Sequence, residues 1–274
     1  MMIEVENGVQ LYVEDLRPVD GGNGQTIFFV AGWPVSHRIF DYQMQMLPYL
    51  GYRCITLDLR GFGKSDKPWH GYYYDRFAED ISFVMDVLNL ENVVLVGFSM
   101  GGAICTRLIT KYDTGARVEK LVLAGATTPF IVKKENQSAF GLPLVQIDHL
   151  LQQMQIDLPQ AISDFGGTFY YQYISPEYKN WFQHMCLEGA SHAILQSGIA
   201  LRNEDVSSDL TQIQIPTGIF HGAHDQIAQF QGAVATQQAI PGSLLYRFEE
   251  SGHGLLYEEK NRFQATLLDF IKNT

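Results

Sequence analysis

At 274 residues, 46% of them hydrophobic, the chain is long enough to form one or two domains around a substantial core. Its formal net charge of -11 argues against nucleic acid and anionic membrane surfaces as partners, because phosphates require clustered lysine and arginine. The N-terminal residues do not combine a basic segment with an apolar one, and no run could span a bilayer. We therefore expect a cytoplasmic protein without membrane contact.

Strand-like and helix-like patterns alternate from the N terminus onward. The pair Asn7-Gly8 predicts an opening hairpin turn. A helix is predicted near residues 40–50, and apolar residues recurring from Phe77 to Leu88 at spacings of four, three and four predict an amphipathic helix. Apolar segments of strand length recur at residues 26–30, 54–58, 93–96 and 120–124. This alternation predicts the α/β class, with a largely parallel sheet covered by helices on both faces.

The segment Gly97-Phe98-Ser99-Met100-Gly101 lies between an apolar strand and a helix-like stretch. This position and spacing are typical of a nucleophile elbow, a strained turn that lifts a serine oxygen clear of the backbone. Gly97 and Gly101 are needed because a side chain at either position would collide with the crossing backbone. Ser99 is therefore the predicted nucleophile.

The pattern changes after residue 129. Residues 130–209 contain helical segments such as 145–154 and a cluster of aromatic side chains, namely Phe165, Phe169, Tyr170, Tyr171, Tyr173, Trp181 and Phe182. We interpret residues 130–209 as a helical cap inserted in a core made of residues 1–129 and 210–274. The aromatic residues together indicate an apolar pocket from which water is excluded.

Two loops after predicted strands carry an acid and a histidine. A site built on a nucleophile elbow requires the chain order serine, acid, histidine, and these residues follow Ser99 in that order. The strand at 215–220 leads to Asp225, the predicted acid, and the strand at 244–248 leads to His253, the predicted general base. His253 would take the proton of Ser99, while Asp225 would fix the imidazole tautomer and stabilise the imidazolium.

Backbone N–H groups are the predicted donors to the negative oxygen of the tetrahedral intermediate. One belongs to Met100, directly after the nucleophile. The other belongs to Trp33, in the loop that follows the strand at 26–30; Pro34 has no N–H group and cannot take this role.

These motifs resemble the α/β-hydrolase superfamily, and within it the cofactor-free haloperoxidase, esterase and perhydrolase group. The resemblance covers most of the chain and is carried by Gly32-Trp33-Pro34, residues 51–53 and 58–66, residues 96–102, Ile215-Pro216-Thr217, His221-Gly222 with Asp225, and Gly252-His253-Gly254. It implies an eight-stranded, mostly parallel sheet with an inserted helical cap, no cofactor, and a small ester or acyl substrate. We expect a pocket formed by Trp33, Phe98 and Phe130.

One position departs from the family pattern. Ala31 stands where the group usually has a histidine before the loop glycine. That histidine generally braces the loop, so we expect its replacement to affect loop rigidity and substrate range more than the chemistry.

Other motifs that suggest a bound cofactor are rejected. Gly63-Lys64-Ser65 resembles the end of a phosphate-binding loop, but Asp58 stands where that motif requires glycine. His221 and His224 have a spacing found in zinc sites, yet the resembling family needs no metal, so we assign them to loop packing and predict no metal site. Cys54, Cys105 and Cys186 are odd in number, far apart and outside any C-x-x-C spacing, so we predict buried free thiols in preference to disulfides or a metal site.

The sequence thus predicts a serine hydrolase that cleaves carboxylic esters through an acyl-Ser99 intermediate, with perhydrolase and haloperoxidase side activity. Haloalkane dehalogenase and epoxide hydrolase activities require an aspartate in place of Ser99. Lactonase, amidase and carbon-carbon bond hydrolase activities use the same three residues and remain open. A small-molecule receptor that keeps the fold without turnover is the alternative from another class.

Overall fold

An eight-stranded sheet forms the centre of the protein in a computed structural model that describes residues 1–113, 116–134 and 139–274. The strands are β1 (Met2–Glu6), β2 (Val9–Leu16), β3 (Thr26–Val30), β4 (Arg53–Leu57), β5 (Val93–Phe98), β6 (Val118–Ala124), β7 (Thr217–Gly222) and β8 (Leu244–Phe248). Their order is β1-β2-β4-β3-β5-β6-β7-β8. The pairings β1–β2 and β2–β4 are antiparallel and the others parallel, which confirms the predicted mostly parallel sheet.

Helices flank this sheet. They are α1 (Asp41–Met46), α2 (Tyr74–Val87), α3 (Met100–Lys111), α4 (Leu144–Ile156), α5 (Leu158–Gly167), α6 (Pro176–Leu187), α7 (Ser191–Asn203), α8 (Ser207–Leu210), α9 (Phe230–Ala239), α10 (Leu255–Glu258) and α11 (Lys260–Asn273), with 3-10 turns at His37–Phe40 and Leu47–Leu50. The predicted amphipathic helix is α2, whose Phe77, Ile81 and Val84 are buried. It packs against α3, the helix that follows Ser99.

The central strands explain why the site forms where it does. Strands β3, β5 and β7 are buried along their whole length, as expected of parallel strands covered on both faces. Because β3, β5, β7 and β8 run in the same direction, their carboxyl ends share one edge of the sheet. The loops that carry Trp33, Ser99, Asp225 and His253 therefore meet at that edge.

Helices α4 to α8 lie between β6 and β7 in the chain, where the cap is predicted. Helix α4 packs against α5 and α7, and α5 packs against α6. The division into a core and a cap with boundaries at residues 129/130 and 209/210 stays a prediction.

The three cysteines are buried free thiols, as predicted. Burial raises the pKa of Cys54 to about 12, so this thiol stays protonated at neutral pH. In the part of the chain that the structure describes, no helix is both long and apolar enough to cross a bilayer.

Candidate active site

Ser99 lies in the sharp turn between β5 and α3, in a backbone conformation that side-chain-bearing residues rarely adopt, with φ of 56° and ψ of -125°. Its carbonyl accepts hydrogen bonds from the N–H groups of Gly102 and Thr127, at 3.0 and 3.1 Å, which hold the turn. A Cβ added to Gly97 would lie 2.6 Å from the carbonyl oxygen of Gly101. The turn therefore requires glycine at position 97, as the sequence pattern indicates.

Ser99, His253 and Asp225 form one chain of hydrogen bonds. His253 Nε2 lies 2.9 Å from Ser99 Oγ, and His253 Nδ1 lies 2.7 Å from Asp225 Oδ2. An ionised Asp225 accepts from Nδ1–H, so Nε2 is left as the acceptor for the Ser99 hydroxyl proton. All three side chains are buried, and Ser99 is 4% exposed. The structure thus brings the three predicted residues together; their catalytic roles stay a prediction.

The carboxylate of Asp225 is surrounded by N–H donors. Its Oδ1 accepts from the backbone N–H groups of Ile227 and Ala228 at 2.8 and 2.9 Å. Burial by itself raises the pKa of Asp225, but the charges and hydrogen bonds of His253 and His221 outweigh it and hold that pKa well below its usual range. Asp225 is therefore charged at neutral pH.

His221 is a neighbour of Asp225 that the sequence reasoning assigned to loop packing alone. It lies at the end of β7, fully buried, with Nε2 at 2.6 Å from the carbonyl oxygen of Ala228 and 3.3 Å from Asp225 Oδ2. The contact with the Ala228 carbonyl places the proton on Nε2, so His221 presents an N–H group to Asp225. The position four residues before the acid is the sequence signal that could have suggested this contact.

His224 packs against an aromatic side chain. Its ring stacks on the ring of Tyr171 at a centroid distance of 3.6 Å. Within the described ranges, no three His, Cys, Asp or Glu side chains are grouped so as to hold a metal ion.

The loop carrying His253 is held by a carboxylate from the following helix. Glu258 accepts hydrogen bonds from the N–H groups of Gly252, Tyr171 and Gln172 at 2.9, 2.6 and 2.7 Å. Burial raises the pKa of Glu258, although these three donors oppose the shift. Because Glu258 accepts hydrogen bonds from both segments, it fixes the position of the loop that carries His253 relative to the chain around Tyr171. The sequence pattern does not indicate this role.

The loop after β3 lies against the nucleophile. A Cβ added to Gly32 would lie 2.6 Å from Ser99 Cβ and 3.1 Å from Ser99 Oγ, so only glycine permits this approach. Trp33 follows Gly32 directly, and Met100 begins α3, where helical N–H groups have no intrahelical acceptor. Both predicted oxyanion donors thus belong to backbone segments next to Ser99. Their function stays a prediction.

Two sets of contacts hold this loop in the absence of a histidine at position 31. The Trp33 indole N–H donates to the carbonyl of Ile194 in α7, at 2.8 Å. The backbone N–H and Nδ1 of His37 lie 2.7 and 2.8 Å from Oδ1 of the buried Asp58. Ala31 therefore sits in a loop that is fixed on one side by α7 and on the other by Asp58, the residue directly after β4.

A cavity of about 390 Å³ opens beside Ser99. Its inner wall consists of buried apolar side chains, among them Trp33, Ile131, Ile147, Leu151, Phe165 and Ile227. Polar side chains also line it, namely Gln146, His149, Gln153, Asp164, Thr168 and Gln226. This volume lies in the lower part of the range for small-molecule sites.

Of the three residues predicted to form the pocket, Trp33 lines this cavity and the other two do not. Phe98 packs against the imidazole of His253, with a centroid distance of 5.1 Å. Phe130 stacks on Phe140 at 5.0 Å, and the next residue, Ile131, lines the cavity. The predicted aromatic cluster contributes Phe165 to the wall, while Phe169 packs edge-on against His253 at 4.8 Å.

Comparison with known proteins agrees with this architecture. Residues 25–151 match the α/β hydrolase fold family model. The chain is 42% identical to the AB hydrolase superfamily protein YisY of Bacillus subtilis, over 98% of this chain and 97% of that protein. It is 30% identical to a non-heme haloperoxidase of Rhodococcus erythropolis, over 99% of both chains. The solved structure of an esterase from Exiguobacterium antarcticum is 37% identical and superposes with a TM-score of 0.94 over 99% of both chains. The protein is therefore an enzyme of the α/β-hydrolase superfamily and belongs to its haloperoxidase and esterase group, as the sequence motifs predict.

Proposed function

We propose that the protein is a serine hydrolase that cleaves carboxylic esters through an acyl-Ser99 intermediate. The observation that carries the proposal is the hydrogen-bonded chain from Asp225 through His253 to Ser99 Oγ, at the wall of a cavity that can hold a small molecule. Relatives of similar length that are named as an esterase and a haloperoxidase support the proposed ester hydrolysis.

The proposed reaction assigns a role to each of these groups. His253 Nε2 accepts the hydroxyl proton as Ser99 Oγ attacks the ester carbonyl, and Asp225 stabilises the imidazolium that forms. The backbone N–H groups of Trp33 and Met100 donate to the carbonyl oxygen as it becomes negative. His253 then gives its proton to the leaving alcohol, and a water molecule, deprotonated by His253, releases the acid and restores Ser99.

We further propose perhydrolysis as a side activity of this site, supported by the haloperoxidase relative. A carboxylic acid acylates Ser99 with loss of water, and hydrogen peroxide then attacks the acyl group to give a peracid, which oxidises halide outside the site. Purified enzyme with acetate, peroxide and bromide should bleach a halide indicator, and Ser99→Ala should not. Equal bleaching by both proteins would remove this side activity from the proposal.

The decisive test compares p-nitrophenyl acetate and butyrate hydrolysis by the wild type and Ser99→Ala. We expect the substitution to lower kcat/KM by about a thousandfold or more, because it removes the nucleophile. Ser163→Ala, an exposed serine in α5 that does not line the cavity, is the matched control and should keep the wild-type rate. Circular dichroism confirms that each variant is folded.

A fluorophosphonate probe tests the reactivity of Ser99 directly, without requiring that the cavity accept a p-nitrophenyl ester. The proposal predicts a covalent adduct on Ser99, located by peptide mass spectrometry. A wild-type protein that neither cleaves these esters nor takes the label would instead support a non-catalytic receptor.

A further inference from the structure

We infer that the acyl group accepted by Ser99 is uncharged, and that the cavity selects against acyl groups ending in a carboxylate. The inference rests on the proposed ester hydrolysis and adds a substrate class to it. Three observations carry it: the burial of Ser99, the apolar inner wall, and the charges at the rim.

The burial of Ser99 determines where an acyl group must lie. Ser99 is almost fully buried and lines the 390 Å³ cavity. Once an acyl group is bonded to Oγ, its chain has to occupy the space that this atom faces. The lining of the cavity therefore decides which acyl groups are accepted.

The apolar side chains of the inner wall cannot stabilise a charged group. Trp33, Ile147, Leu151 and Phe165 are each less than 9% exposed. The one polar atom of these side chains, the Trp33 indole nitrogen, already donates to the Ile194 carbonyl. An ion transferred from water to such a wall loses its hydration without gaining a partner, which is strongly unfavourable.

The rim does not compensate for this loss. None of the described residues that line the cavity is lysine or arginine; the titratable side chains among them are Asp164, a carboxylate on the exposed side of α5, and His149, an exposed imidazole in α4. Asp164 Oδ1 accepts a hydrogen bond from Gln160 at 2.9 Å, and because this donor is a neutral amide the bond does not neutralise the charge of Asp164. Gln146, Gln153 and Thr168 can donate hydrogen bonds to a neutral ester, amide or hydroxyl group. The rim therefore suits a polar but uncharged chain end.

The first experiment uses two p-nitrophenyl esters of adipic acid, one with the second carboxyl free and one with it methylated. They have the same chain and reactive group and differ in charge at the far end. After subtraction of the uncatalysed rate at pH 7.5, we expect kcat/KM for the methyl ester to exceed that for the free acid by on the order of 100-fold. Similar values for the two esters would overturn the inference.

The second experiment places a cation at the rim. Asp164→Lys should raise the ratio of kcat/KM for the anionic ester to that for the neutral ester by about tenfold, because it replaces repulsion by attraction. Ser163→Lys places the same side chain at the adjacent exposed position, outside the cavity lining, and changes the charge by one unit where Asp164→Lys changes it by two; it should leave the ratio unchanged. Equal ratios in the two variants would show that charge at the rim does not decide selection.

The remaining outcomes separate this inference from the proposed function. Hydrolysis of p-nitrophenyl acetate without hydrolysis of either adipate ester would mean that long acyl chains do not enter the cavity, which overturns the inference alone. Absence of ester hydrolysis together with absence of fluorophosphonate labelling at Ser99 would overturn the proposed function itself.

Discussion

The Asp225 carboxylate is buried and yet charged because N–H groups surround both of its oxygens. The backbone of Ile227 and Ala228 binds Oδ1, and His253 and His221 approach Oδ2. This arrangement leaves the carboxylate little freedom to rotate. Since Oδ2 then points at Nδ1 of His253, the proton of the imidazole is kept on the nitrogen remote from Ser99.

Asp225→Asn tests this dependence on charge. The amide cannot hold the imidazole in the same tautomer, so we expect ester hydrolysis to fall by up to about ten-thousandfold while the fold is kept. Steady-state kinetics with a p-nitrophenyl ester measures the loss. Asp20→Asn, an exposed substitution far from the site in sequence, is the control. Near-normal turnover by Asp225→Asn would mean that another carboxylate acts as the acid.

Asp225→Asn should also change how the free energy of unfolding depends on pH. The pKa of Asp225 is lower in the folded protein than in the unfolded chain, so its charge contributes stability that is complete above the unfolded pKa of about 4. That contribution decreases as the pH falls below this value. The free energy of unfolding in urea should therefore fall more steeply from pH 6 to pH 3 in the wild type than in Asp225→Asn. Parallel profiles would contradict the lowered pKa.

At the scale of elements, helix α7 connects the cap region to the loop beside the nucleophile. The Trp33 indole donates to the carbonyl of Ile194 in the first turn of α7, and the N–H of Ala190, just before the helix, donates to the Gly61 carbonyl at 2.9 Å. Further along α7, Gly198 packs directly against Trp33 and Leu151, and all three residues line the cavity. The absence of a side chain at Gly198 thus helps to set the cavity width.

Gly198→Ala should narrow the cavity. A Cβ at this position would lie 2.6 Å from Leu151 Cδ2 and 3.2 Å from the Trp33 ring, so the flexible end of Leu151 has to move. We expect the ratio of kcat/KM for butyrate to acetate esters to fall by roughly tenfold, a usual effect of one methyl group in an apolar pocket. Ile199→Ala, at the neighbouring and partly exposed position, controls for altered helix propensity. An unchanged ratio in Gly198→Ala would mean that acyl chains lie elsewhere.

The sheet and the meeting of Ser99, Asp225 and His253 could be predicted because each depends on local sequence. Buried parallel strands are continuous apolar runs, and the residues just after them lie at one edge of the sheet. The cavity lining could not be predicted in the same way, since it depends on how α4, α5 and α7 pack together. Phe130 and Ile131 illustrate this difference: both are apolar neighbours, but only the packed structure assigns Ile131 to the cavity and Phe130 to a stack with Phe140.

For the molecule as a whole, an ion-pair cluster centred on the buried Arg107 joins α2 and α3 to the chain that follows α7. Arg107 in α3 lies 3.2 Å from Asp209, at the end of the proposed cap, and 2.5 Å from Asp75 in α2. Glu204, which follows α7, is 3.7 Å from Arg107 and accepts the backbone N–H of Tyr74 at 2.7 Å. Loss of the packing around Asp209 and Glu204 would therefore leave Arg107 with Asp75 as its remaining partner in this cluster.

Arg107→Met should destabilise the cap and the core together. It leaves Asp209 buried without its cation, and removal of one partner of a buried pair lowers the free energy of unfolding by about 3–5 kcal/mol. Urea unfolding measures this loss. Arg202→Met breaks the partly exposed pair with Asp148 and, as the control, should lower the free energy of unfolding by less than about 1 kcal/mol.

The shape of the transition distinguishes one cooperative unit from two. Trp33 and Trp69 lie outside residues 130–209 and Trp181 lies in α6, so the fluorescence of the three tryptophans reports on both regions, while far-ultraviolet circular dichroism reports on all helices and strands. If the cap is an insertion that cannot fold apart from the core, the two signals coincide in the wild type and in Arg107→Met, with a lower midpoint in the variant. Separate transitions in the wild type would show that residues 130–209 fold as an independent unit. In that case Arg107 would contribute to docking of the cap, and its loss should impair ester hydrolysis at urea concentrations at which the core is still folded.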